Sequence, residues 1–145
     1  GFYHVSLYLM TPDGNRLVLQ EAIGDMGHFD ALKGEKTTVG QVSIVGWVAM
    51  NRQARIALDV GDAPYYFENP KLPDTHSEIA LPLLARGRLL GVLDIQSRES
   101  GAFQSEDMPV FQVMADQIAV GIDNARLFED ISEQAKQLTE LQNIT

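Results

Sequence analysis

The sequence predicts an α+β domain with a central antiparallel sheet, helices packed against it and a long C-terminal helix. Three observations carry this. Phe2 to Met10 and Leu17 to Ile23 are β-type runs joined by Thr11-Pro12-Asp13-Gly14-Asn15, whose proline and glycine suit a reversal. Ser77 to Ser97 reads as a second hairpin, with Arg86-Gly87 as its turn. From Ser105 onward, apolar residues recur at helical spacing. A chain of 145 residues that is 45% hydrophobic has enough apolar material for one core.

In the first strand, Tyr3, Val5, Leu7 and Leu9 alternate with Phe2, His4, Ser6 and Tyr8. Both sets carry large side chains, so the strand is expected to be covered on both faces. Gly24 to Gly40 is polar and reads as a loop. Ser43 is placed to cap a short helix holding Ile44, Val45, Trp47, Val48 and Met50, which Asn51-Arg52-Gln53 ends. Arg55 to Leu58 is a brief third strand. Asp59 to Thr75 is a long loop stiffened by Pro64, Pro70 and Pro73, and it carries Tyr65-Tyr66-Phe67.

In the second hairpin, a plain two-residue turn sets Ile79, Leu81 and Leu83 opposite Asp94, Val92 and Leu90. It sets Glu78, Ala80, Pro82 and Leu84 opposite Ile95, Leu93, Gly91 and Leu89. Pro82 cannot donate to a ladder, so it must sit at an edge or a bulge. Ser105 can cap the final helix, with Glu106 and Asp107 in its first turn. That helix has two apolar stripes. Phe111, Met114, Ala115, Ile118, Ile122 and Ala125 form one; Val110, Val113, Val120 and Leu127 form the other. Two stripes call for two partners, the sheet and another helix. Leu127, Ile131, Leu138 and Leu141 fit a and d positions of a short heptad, with a polar gap at Gln134.

Composition excludes several functions. A formal net charge of −9 argues against a general nucleic-acid binder and against docking on an anionic leaflet. With no cysteine there are no disulfides, thiolate metal sites or cysteine nucleophiles. No signal peptide or membrane-spanning run is legible, which points to a cytoplasmic protein. No nucleophile elbow, phosphate loop or dinucleotide fingerprint appears. On an extended segment Asp74, His76 and Glu78 face one way, yet such alternating polar residues are more often solvated, so no metal site is expected.

In this order the elements resemble a GAF domain. The resemblance rests on Val39-Gly40-Gln41-Val42-Ser43-Ile44-Val45-Gly46-Trp47-Val48-Ala49, on Ser77-Glu78-Ile79-Ala80-Leu81-Pro82-Leu83 and on Gly91-Val92-Leu93-Asp94-Ile95-Gln96-Ser97. Phe103-Gln104-Ser105-Glu106-Asp107 and the helix from Gln117 to Phe128 complete it. The pattern is most similar to GAF domains of bacterial multidomain sensor histidine kinases. It implies a PAS-related sheet with helices on both faces, in which the family's N-terminal helix is missing here. Residues 1–129 would form the sensory domain. Residues 130–145 would form a helical, coiled-coil-like linker to an output domain of the same parent chain.

The resemblance implies a pocket for an unknown small molecule, with no cofactor, between the sheet and the long loop with the short helix. Ala80, Pro82 and Gly91 are small and share a face on the register above, leaving room there. Trp47, Arg55, Asp59, Tyr65, Tyr66, His76 and Glu78 could wall such a pocket and place polar groups in it. Glu78 is either a solvated strand end or the polar residue of that pocket. Signalling would pass through the C-terminal helix, with a homodimer formed along Val113, Val120, Leu127, Ile131, Leu138 and Leu141. Family members that reduce free methionine sulfoxide need redox cysteines, so the expectation is a domain that is not an enzyme, any kinase output lying outside this chain. The alternatives are a ligand-free dimerisation spacer, or the GAF domain of a transcriptional regulator or cyclic-di-nucleotide enzyme.

Overall fold

In the computed structural model the described residues are 2–24, 34–40, 43–57 and 74–144. They form one antiparallel sheet of six strands. These are β1 (Phe2–Met10), β2 (Arg16–Gly24), β3 (Lys36–Thr38), β4 (Arg55–Ala57), β5 (Ser77–Ala85) and β6 (Arg88–Ser97). Their order across the sheet is β3-β2-β1-β6-β5-β4. Helix α1 (Ile44–Asn51) lies on one face and helix α2 (Met108–Ile144) on the other. The expected α+β architecture with helices on both faces is what the chain adopts. One element went unread in the sequence. Lys36–Thr38 pairs with Arg16, Leu17 and Val18, and three residues are too short a run to show periodicity.

Both hairpins follow their turn chemistry. Arg86 and Gly87 each take positive φ, 50° and 74°, as the two central residues of a type I′ turn do. The register differs from a plain hairpin. A bulge between Leu83 and Leu84 advances the pairing by one residue, so Ile79 meets Ile95, Ala80 meets Asp94 and Leu83 meets Gly91. Pro82 lies one residue from that bulge, beyond the stretch Glu78 to Ala80 that β4 covers, so its missing N–H costs no ladder bond to β4.

The bulge sorts the two faces. Ile79, Leu81, Leu83, Leu93 and Ile95 form a fully apolar face that α2 covers with Phe111, Ala115, Ile118, Ala119 and Ile122. Phe103 is buried beneath the start of α2, its ring edge-on to Phe111 at 5.7 Å. On the opposite face Ala80 and Val92 pack with Leu17 against Ile44, Val45 and Val48 of α1. Gly91 leaves no room for a ligand, contrary to the expectation. A Cβ there would lie 1.9 Å from the carbonyl oxygen of Tyr8, so the glycine permits the close approach of β1 to β6.

The helix ends obey capping rules. The Ser43 hydroxyl accepts from the Gly46 N–H, and Arg52 closes α1 in the left-handed conformation. Before α2, a 3₁₀ turn spans Ser105–Asp107, and Asp107 accepts from the Gln104 N–H at 3.2 Å. The cap is therefore Gln104, one residue before the expected Ser105. Helix α2 continues unbroken for 37 residues, so the division at 129/130 falls inside one helix. Among the described residues, no helix is long and apolar enough to cross a membrane.

Candidate functional site

Two adjacent rows of residues on the α1 face carry the polar groups. In the first row His4 of β1 pairs with Gln96 of β6, which pairs with Glu78 of β5. In the second, Ser6 pairs with Asp94, Asp94 with Ala80, and Ala80 with Arg55 of β4. Directly paired residues point the same way, so all of these share one face. His4, Ser6, Glu78, Asp94 and Gln96 are buried, and Thr75 closes the row at the strand entrance.

The hydrogen bonding ties the two carboxyl groups together. The Gln96 amide nitrogen donates to Asp94 Oδ2 at 2.7 Å and reaches Glu78 Oε2 at 3.3 Å. Thr75 Oγ1 donates to Gln96 Oε1, the side-chain amide oxygen, and His4 Nε2 bonds the Ser6 hydroxyl. Asp94 Oδ1 is buried with no hydrogen-bond partner among the described residues. A buried oxygen without a donor costs about 1–3 kcal/mol, so the arrangement is incomplete by itself.

Burial governs the charge state. It lifts the Glu78 carboxyl well above its usual range, and the neighbouring Asp94 lifts it further. Burial also raises Asp94, opposed by hydrogen bonds from Glu78 and Gln96. Both carboxyl groups are thus held above their ordinary range by the same burial, and each acts on the other. Burial lowers the His4 pKa despite the pull of Asp94, so its ring is neutral. Burial and both carboxyl groups push Tyr8 upward, keeping the phenol protonated. The cluster thus buries two carboxyl groups beside an open acceptor.

Of the residues singled out in the sequence, Glu78, Ala80, Arg55 and Trp47 come to this face. The Arg55 guanidinium lies 4.3 Å over the Trp47 ring. Glu78 is only 3% exposed, so it is no solvated strand end. Ala80 is fully buried against α1. His76 is exposed, its backbone N–H donating to the Ser97 carbonyl at 2.8 Å. Asp59, Tyr65 and Tyr66 lie outside the described residues. Asp74 is exposed and points toward Arg98 at 4.0 Å, so Asp74, His76 and Glu78 do not converge. Among the described residues no cluster of three or more potential ligands is arranged for a metal.

Asp94, Gln96, His4 and Ser6 were missed as site residues. Their signal is present as polar residues at alternate positions of two otherwise apolar strands. Without the bulge, however, Asp94 is assigned to the wrong face.

A family model described as a GAF domain matches residues 1–123. The chain belongs to the GAF domain family. A stretch of 70 residues is 33% identical to hybrid signal transduction histidine kinase G of Dictyostelium discoideum, covering 48% of this chain but 2% of that protein. This GAF domain is similar to that of a phosphoenolpyruvate-protein phosphotransferase from Coxiella burnetii, with TM-score 0.76 and 25% identity over 88% of this chain and 75% of the other. It shares its fold with the free methionine-R-sulfoxide reductase of Neisseria meningitidis, solved with its substrate. There the TM-score is 0.74 and the identity 23%, over 88% of this chain and 71% of the other. That likeness corrects the expectation that the chain is not an enzyme. The GAF fold itself houses reductases, so an enzyme role is open to it, although thiol chemistry would need a cysteine that these 145 residues do not contain.

Proposed function

We propose that this GAF domain senses a small molecule for a signal-transduction protein, with Glu78, Asp94 and Gln96 as the recognition site. The observation that carries the reading is Asp94 Oδ1, a buried acceptor without a donor among the described residues, beside the buried Glu78 carboxyl. A ligand with an ammonium or similar N–H donor would satisfy both. Arg55, on the same face, offers the opposite charge, so a small zwitterion fits the arrangement. The Neisseria reductase, named for acting on free methionine sulfoxide, supports this as a fold that receives a free amino acid.

The match to a histidine kinase supports a signalling context. The route to an output domain is mechanical. Strands β5 and β6 carry Glu78 and Asp94 on one face and hold α2 on the other. Ordering of the site would shift these strands and with them α2. A ligand that binds one helix position better than another biases it toward that position. A second copy would pack along Val113, Val120, Leu127, Ile131, Leu138 and Leu141, all at the surface of α2.

Native mass spectrometry of freshly purified protein tests the site. The wild-type chain should retain a small basic or zwitterionic molecule, and Glu78→Gln or Asp94→Asn should lose it. Equal retention by both variants would remove the site from this cluster. Since the chain has no cysteine, Leu138→Cys provides a clean disulfide probe of the helix pairing.

A further inference from the structure

A separate cleft of about 700 Å³ opens at the other end of the sheet, where α1 stops and the β5–β6 hairpin turns. Glu78 and Leu84, the partner of Leu89 in this cleft, are six positions apart on β5, a span of about 20 Å. The volume lies within the range of small-molecule sites. Met10, Val39, Ala49, Leu89 and Leu90 give it apolar patches within a lining that is slightly more polar than apolar. Its polar lining is dominated by three arginines from three elements: Arg52 at the end of α1, Arg88 at the start of β6 and Arg126 on α2.

The convergence stands out in a chain with 11 lysines and arginines against 20 acidic residues. Among the described residues no aspartate or glutamate lines this cleft. Arg52 is held by a bond from its guanidinium to the Gly87 carbonyl at 3.1 Å, which leaves other N–H groups to point elsewhere. Arg88 and Arg126 also flank a neighbouring groove with Asp123, Glu129 and Asp130. There Asp123 is already bound by Arg86 at 2.8 Å. Guanidinium groups from three elements lining one cleft offer charge-assisted donors to an anion placed among them.

We propose that this cleft binds a small amphiphilic anion, whose carboxylate or phosphate is held by Arg52, Arg88 and Arg126 and whose apolar body lies against Met10, Val39 and Leu89. Such a ligand would join α1, the hairpin and α2 at the level where the apolar contacts of α2 with the sheet run out. It would therefore stiffen the base of the projecting helix. The site is independent of the Glu78 cluster in both place and charge.

The test titrates octanoate, octyl phosphate and neutral octanol into the whole chain at low ionic strength, following backbone amides by NMR. At least one anion should bind tenfold or more tightly than octanol and shift the amides of Arg52, Arg88, Leu89 and Arg126. Octanoate alone would assign a carboxylate, and octyl phosphate alone a phosphate. The double variant Arg88→Gln, Arg126→Gln should weaken the anion at least tenfold and leave octanol unchanged, since a charge-assisted bond is worth about that much or more. Arg98→Gln, exposed and outside the cleft, should bind as wild type does. Should the double variant not fold, Arg88→Gln alone, at an exposed position, gives the same reading. Anions binding no tighter than octanol, unchanged affinity in the arginine variants, or shifts confined to the Glu78 cluster would each overturn the proposal.

Discussion

The two faces of the β5–β6 hairpin are built from the same strands and reach the same degree of burial by opposite means. On the α2 face Ile79, Leu81, Leu93 and Ile95 bury only hydrocarbon, and helix side chains fill the space above them. On the α1 face, at the same level, Glu78, Asp94 and Gln96 bury a carboxyl pair and an amide. Burial on the first face follows from removal of apolar area from water. On the second it is opposed by desolvation and sustained by a small set of hydrogen bonds. A domain selected only for stability would have no use for the second arrangement, so the contrast separates scaffold from site.

The largest effects should come from breaking the apolar face. Leu81→Ala empties a fully buried position and should cost about 4 kcal/mol, read from the urea midpoint. Gly91→Ala drives a methyl into the Tyr8 carbonyl and should cost about 3 kcal/mol, with loss of amide protection where β1 meets β6.

The polar face should respond with the opposite sign. The folded-state pKa values of Glu78 and Asp94 are raised, so the native chain binds more protons than the unfolded one. Stability from these groups is complete below the ordinary carboxyl range and is lost as pH rises through their folded values. Glu78→Gln keeps a donor toward Asp94 and should flatten that decline, adding about 1 kcal/mol at neutral pH while abolishing ligand retention. Urea midpoints measured across pH would check it; a variant that declines as steeply as wild type would rule out a charge cost at Glu78. The smallest effect belongs to the projecting half of α2. Leu138→Ser, at a position 61% exposed, should change monomer stability by less than about 0.5 kcal/mol, measured at protein concentrations below any dimerisation.

Much of the fold was legible because its signals are local. Ser43 announced the start of α1, Arg86-Gly87 announced the second turn, and the 3.6-residue spacing of Phe111, Ala115, Ile118 and Ile122 announced the buried face of α2. The site was legible only in part. Glu78 stood out as a carboxylate in an apolar strand, but Asp94 was assigned to the far face. A one-residue slip inverts every side chain of a strand, and the bulge that causes it leaves little trace in sequence beyond Pro82. Gly91 was misread for a related reason. Its small size serves the neighbouring strand, which sequence does not place beside it.

By itself, the sequence determined the order and kind of the elements, the absence of thiol chemistry and the acidic balance of the chain, since these depend on residue type and near-neighbour spacing. Only the tertiary structure decided which polar residues meet. His4 on β1 is far along the chain from Glu78, Asp94 and Gln96 on the β5–β6 hairpin, and Arg52, Arg88 and Arg126 come from two helices and a strand. Their chemistry depends on pairing register and burial, and both are set by long-range packing.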